Sequence, residues 1–187
     1  MTRFLSAVDR RMDRHAHRHR IIVGSQEELR VIDKLLPRTI DNSYRGKKAA
    51  LWLLGLLVLV KGAMGTNSIF NGYVVATTAD GIPLDTFAPA GARAVIAFLA
   101  VWGLSLLIFS LLGVLALVRY RAMVPLVFLV LLLEHGGRKL IFTFLPITAV
   151  GSPPAFSINA VLIGLLVVGL ALSLWGPRIQ VTQGVRS

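Results

Sequence analysis

The chain contains no cysteine, which excludes disulfides, thiolate metal ligands and thiol catalysis. Charge is also scarce: 16% of the residues are Asp, Glu, Lys or Arg, against 55% hydrophobic, a balance outside the usual range for a soluble domain. Acidic residues are scarcest, with 9 Asp and Glu against 20 Lys and Arg and a net charge of +11. Recognisable catalytic motifs are missing too: there is no nucleophile elbow, P-loop, zinc-protease helix or dinucleotide fingerprint. The apolar spans hold one carboxylate, Glu134, where a paired acid–base site needs two. No catalytic or metal-ligating residue is assigned, and the cofactor is left unknown. The two halves share no motif, so the sequence gives no support to an inverted-repeat transporter.

What is present is long apolar runs. Four can cross a membrane, over about residues 49–69, 94–118, 122–147 and 156–175, each meeting the requirement of ~20 residues for a ~30 Å hydrocarbon core. Helices are the expected form, because lipid cannot satisfy exposed backbone groups. The sequence therefore predicts an all-α polytopic membrane protein, a four-transmembrane-helix bundle over 49–175. A basic N-terminal section (1–48) precedes it and a short tail (176–187) follows. Residues 1–48 hold twelve of the twenty basic groups and six of the nine acidic ones. They lack an apolar h-region, so the first span is expected to be an uncleaved anchor. A mitochondrial transit peptide is the alternative, against which Asp9 and Asp13 interrupt the Arg-rich stretch.

Orientation follows from the basic residues of the connections. Arg45, Lys47 and Lys48 precede the first span, Arg119 and Arg121 separate the second and third, and Arg178 and Arg186 follow the fourth. With four spans, all fall on one side. A bacterial inner membrane with both termini cytoplasmic is expected. The basic excess then reads as cytoplasmic retention and attraction to anionic lipid head groups, not as nucleic-acid binding. Phe4, Leu5, Val8 and Met12 share one helical face, and a second helix is expected from Ser25, with Glu28 completing a capping box and Pro37 ending it. Leu29, Ile32, Leu35 and Leu36 form its apolar stripe. These amphipathic helices either lie on the membrane surface or pack against a protein partner. The tract His15-Ala16-His17-Arg18-His19 reads as a solvated basic segment, because the arginines within and beside it, Arg14, Arg18 and Arg20, disfavour a metal cation. Between the first two spans, residues 71–93 carry turn signals at Asn71-Gly72 and Asp80-Gly81, with a possible short strand over 73–77. This loop is either a cap on the outer end of the bundle or a mobile connector.

Ionisable groups inside the spans are costly, so they are expected to be paired or turned inward. Lys61 lies thirteen residues after Lys48, and Glu134 thirteen after Arg121. At ~1.5 Å per residue both sit ~20 Å in from the same side. A Lys61–Glu134 pair between the first and third spans is the expected neutralisation. Arg138, four residues after Glu134, is a rival partner on the same helix face, or it snorkels outward with Lys139. His135 is the one histidine within the spans. Its candidate roles are proton transfer, a hydrogen bond to a ligand such as a quinone, haem ligation, or simply a bond to a neighbouring helix. Lys61, Glu134, His135 and Arg138 are the candidate ligand-binding or intramembrane polar cluster; the competing reading is a lock between two helices. Gly136-Gly137 either admits a close helix or loosens the span. Gly103, and Ala160 with Gly164, suggest close helix packing, while Asn67, Asn71 and Asn159 read as interfacial hydrogen-bonding groups.

Arg119-Tyr120-Arg121 ahead of Val124-Pro125-Leu126, followed by Glu134-His135 and Arg138 in one span, resembles the bacterial four-helix inner-membrane proteins called DoxX-like. The resemblance covers about residues 49–175. It implies the four-helix membrane fold and assigns no site residues. The role expected first is non-catalytic, an accessory or assembly subunit of a larger membrane complex, with a protein partner or a second copy of the chain. The alternatives are binding or transport of a small apolar or anionic molecule (lipid, quinone) at the polar cluster, and a membrane enzyme of lipid or quinone metabolism.

Overall fold

The computed structural model describes residues 31–37, 40–146 and 148–175, and the chain divides into two units at Arg38. In the first unit residues 31–35 are helical. The Leu36 amide donates to the Ile32 carbonyl (2.8 Å), and the helix stops before Pro37. The Ser25 cap, the helix over residues 4–12, the histidine tract and the tail 176–187 lie outside the described residues.

The second unit is built from four long helices: α1 (Lys48–Phe70), α2 (Pro89–Val118), α3 (Val124–Phe144) and α4 (Pro154–Leu174). α1, α2 and α4 are long and apolar enough to cross a membrane. α3 matches α4 in length at 21 residues but carries Glu134, Arg138 and Lys139. Proline stands in the first turn of α2, α3 and α4, where its missing N–H costs nothing and its fixed φ suits a helix start. α3 runs unbroken through Gly136-Gly137. A Cβ added to either glycine would meet nothing within 4 Å among the described residues, so neither marks a break or a tight helix contact. Among the described residues there is no strand. Residues 73–77, expected as a possible strand, are helical, in Gly72–Val74 and a π-helical turn Val75–Ala79. With no neighbouring strand to supply ladder partners, these backbone groups close on themselves. The Val75 amide donates to the Asn71 carbonyl (3.0 Å), and the Asp80 amide to the Val75 carbonyl (3.0 Å).

The core lies between α1, α3 and α4. α1 buries Ala50, Leu54, Leu57 and Val58; α3 buries Val124, Phe128 and Leu131; α4 buries Leu162 and Leu166. The α3 and α4 positions advance by three or four residues, the spacing of one helix face. α2 joins this core differently, through a seam against α1 in which backbones nearly touch. A Cβ added to Gly65 would lie 2.7 Å from the Gly103 carbonyl oxygen, and one added to Gly103 would meet the Gly65 carbonyl at the same distance. Ser110 fixes the same seam with a hydrogen bond from its hydroxyl to the Val58 carbonyl (2.9 Å). Of the expected close-packing residues Gly103 is therefore used, whereas Gly164 faces open space.

The two ends of the unit are tied by the backbone. At one end the Lys47 amide donates to the Leu172 carbonyl (3.1 Å), the Lys47 ammonium lies 5.1 Å from the Trp175 ring centre, and the Ala122 amide donates to the Asp41 carbonyl (3.3 Å). These contacts bring Arg45, Lys47 and Lys48 to the same end as Arg119 and Arg121. At the opposite end Val150 donates to the Gly81 carbonyl (2.8 Å), with Gly81 at φ 70°, a left-handed conformation that suits glycine. Val75, Ala76 and Leu84 are buried there, so the loop between α1 and α2 caps the bundle.

Candidate functional site

The apolar stripes of α3 and α4 turn polar at one level. On α3, Val124, Phe128 and Leu131 are followed at the same spacing by His135, Arg138 and Phe142. On α4, Leu166 and Leu162 are preceded by Asn159 and Ala155. α1 changes in the same way: one turn beyond Leu57 and Val58 its buried face presents Lys61. Helix packing therefore delivers four polar side chains to one layer above the core.

Lys61 and His135 are almost fully enclosed, at 1% and 2% exposure. The Lys61 ammonium donates to Glu134 Oε2 (2.6 Å) and lies 2.9 Å from His135 Nδ1. His135 Nδ1 is 2.8 Å from the same carboxylate oxygen, and His135 Nε2 is 3.2 Å from Arg138 Nη2. Nδ1 faces a donor and an acceptor at once. A proton on Nδ1 lets the ring donate to Glu134 and accept from Arg138 through Nε2, but it also meets the Lys61 ammonium; a proton on Nε2 lets Nδ1 accept from Lys61, but it faces the guanidinium, a donor on every nitrogen. Glu134 accepts from Lys61 in either tautomer, and it holds Arg138 only loosely, with Nη1 3.9 Å from Oε1.

Arg138 looks the other way. Its Nη2 also donates to Asn159 Oδ1 (3.3 Å), and its guanidinium stacks 4.6 Å from the Trp102 ring centre. Beyond it opens a cavity of about 660 Å³. His135, Arg138 and Asn159 line its polar end. Phe98, Trp102, Phe142 and Phe156 line its sides, and Asp80 and Ile82 of the capping loop contribute at the outer end. α2 and α4 make no extended contact, and the cavity occupies the gap between them. Phe98 and Phe156 are largely exposed on its wall, so the gap opens sideways.

Matches to known proteins are absent. No family model, curated protein or solved structure matches this chain.

The four sequence-derived candidates, Lys61, Glu134, His135 and Arg138, are brought together in one cluster. Lys139 is exposed, at the cavity rim. Asn67 and Asn71 bond to each other (2.8 Å), whereas Asn159, expected at an interface, belongs to the site. Two site residues were not legible. Asp80 reads as part of a turn because it precedes Gly81; burial pushes its carboxyl above the ordinary range, against the pull of Arg138. Trp102 gives no periodic signal, because α2 is apolar on all sides. Among the described residues no group of acidic and histidine side chains is arranged to hold a metal ion.

Proposed function

We propose that this chain is a four-span membrane protein that binds a small amphipathic molecule in the cavity between α2, α3 and α4. The supporting observation is the position of Arg138. A helix lock is complete with Lys61, Glu134 and His135. Arg138, Asn159 and Trp102 stand on the far side of His135 and border open space. Apolar walls with a few convergent polar groups are the usual make-up of a small-molecule site, and the volume falls within the usual ~300–1,000 Å³.

On this reading α3 is the fourth span. Its 21 residues make a rod of ~31 Å, matching a ~30 Å core, and Glu134 and Arg138 are turned inward. The basic ends of α1, α2 and α3 support a cytoplasmic side there, in a bacterial inner membrane, with both termini cytoplasmic and the cavity in the outer half.

The test is extraction of the purified chain followed by mass spectrometry of small molecules, for wild type and for Ala160→Phe, which fills the cavity wall. Wild type is expected to retain an amphiphile that the variant loses. Identical extracts from two equally folded proteins would overturn the reading. The accessory-subunit role comes second, because the cavity beside Arg138 favours a small ligand. A stoichiometric protein partner without a bound small molecule, after gentle purification, would place it first.

A further inference from the structure

We infer that the cavity takes a single-chain amphiphile with a monoanionic carboxylate head, the carboxylate on Arg138 and the chain in the sideways gap between α2 and α4. This inference rests on the binding reading above and narrows it to one ligand class.

Charge is the first argument. The Lys61 and Glu134 charges cancel within their own pair at 2.6 Å. That leaves Arg138, Lys139 and Asp80 around the cavity, one net positive charge with Asp80 ionised and two with it protonated. A monoanion balances this site. A phosphate monoester, at about −1.5 to −2, would set a near-dianion beside Asp80.

Hydrogen bonding is the second. Arg138 Nη2 is engaged by His135 and Asn159. Nη1 makes no hydrogen bond among the described residues; its nearest carboxylate oxygen, Glu134 Oε1 at 3.9 Å, is out of bonding range. Yet no fully buried side-chain nitrogen or oxygen lacks a partner, so the unspent Nη1 hydrogens face accessible space. A desolvated guanidinium with open N–H groups is a carboxylate receptor.

Size and access are the third. A cavity of about 660 Å³, at ~30 Å³ per water-sized group, accommodates about twenty heavy atoms. That is the size of one acyl chain with its head group. The exposed Phe98 and Phe156 flank the opening, which faces where acyl chains would lie, so the ligand enters sideways from the outer leaflet. Asp80 is the internal competitor: it lines the same cavity and attracts Arg138 at longer range.

The test uses the full chain in nanodiscs of zwitterionic phospholipid, with Trp52 and Trp175 replaced by Phe so that Trp102 is the one remaining tryptophan. A brominated palmitate is expected to quench Trp102 saturably. Palmitate should displace it at least tenfold better than hexadecanol, and better than hexadecyl phosphate. Asp80→Asn should widen the palmitate-to-hexadecanol ratio several-fold, and Arg138→Met should collapse it. Ala160→Phe, which leaves the charges in place, should abolish quenching. Saturable quenching with equal displacement by palmitate and hexadecanol would overturn the carboxylate inference and leave the binding reading standing. Preference for the phosphate would also overturn it. No saturable quenching at all would end both. Should Arg138→Met fail to fold, the Asp80→Asn ratio and the alcohol comparison decide.

Discussion

Lys61 is the largest of the fully enclosed side chains, and its ammonium has one carboxylate within reach. An ion pair of this kind adds little compared with apolar packing, but removing one partner strands the other charge. Glu134→Gln is therefore expected to destabilise the protein by roughly 3 kcal/mol or more, and Lys61→Met added to it should recover part of the loss. Thermal unfolding in detergent across the double-mutant cycle measures this, and independent, additive effects would rule the pairing out as a stabilising contact. The pair was legible because both residues lie thirteen positions beyond a basic residue at the foot of an apolar run, and a helix converts that count into height along its axis. The direction taken by Arg138 was not legible. Spacing allows it to reach back to Glu134 or outward to water, and the choice of Asn159 and Trp102 depends on how α2 and α4 stand around α3.

Glycine decides how the elements approach each other. Gly65 and Gly103 allow α1 and α2 to meet backbone to backbone, and Gly169 of α4 receives the Phe128 ring of α3. Gly65→Leu should force these helices apart and cost at least ~1–3 kcal/mol. Gly169→Ala should cost a comparable amount, while Gly164→Ala, whose Cβ would meet nothing, should be neutral or slightly stabilising through helix propensity. Comparing the three melting temperatures tests the assignment, and a Gly164→Ala loss equal to that of Gly169→Ala would refute it. The small residues were visible in the sequence, but their partners were not, since α2 and α4 are apolar around their whole circumference and no face stands out. α3 is the exception. Its buried positions advance by three and four from Val124 to His135, so its inward face, and the histidine on it, can be read directly.

At the scale of the whole molecule, the basic ends of the helices meet at one end and the capping loop closes the other. Because the chain has no cysteine, introduced cysteines report topology without background. In intact cells, after removal of any outer membrane, an impermeant maleimide is expected to label Asp85→Cys and Ser152→Cys, and to reach Arg121→Cys only after the membrane is opened. Labelling of Ser152→Cys and Asp85→Cys on opposite sides would mean that α2 and α3, the helices between them, do not both cross, and the four-span reading would fall.

The sequence alone determined the all-helical class, the long apolar helices and the matching height of Lys61 and Glu134 on their helices. These follow from composition and from the fixed rise of a helix, which need no knowledge of neighbours. Only the tertiary structure decided that the capping loop folds as helical turns, that Asp80 lines the same cavity as Arg138, and that α2 and α4 stand apart to leave that cavity. Each of these depends on which helix faces which, and a uniformly apolar helix carries no mark of that. The polar cluster was foreseeable because charge in an apolar run is conspicuous. The empty space beside it was not, because it is set by the packing of all the surrounding elements and by no single residue.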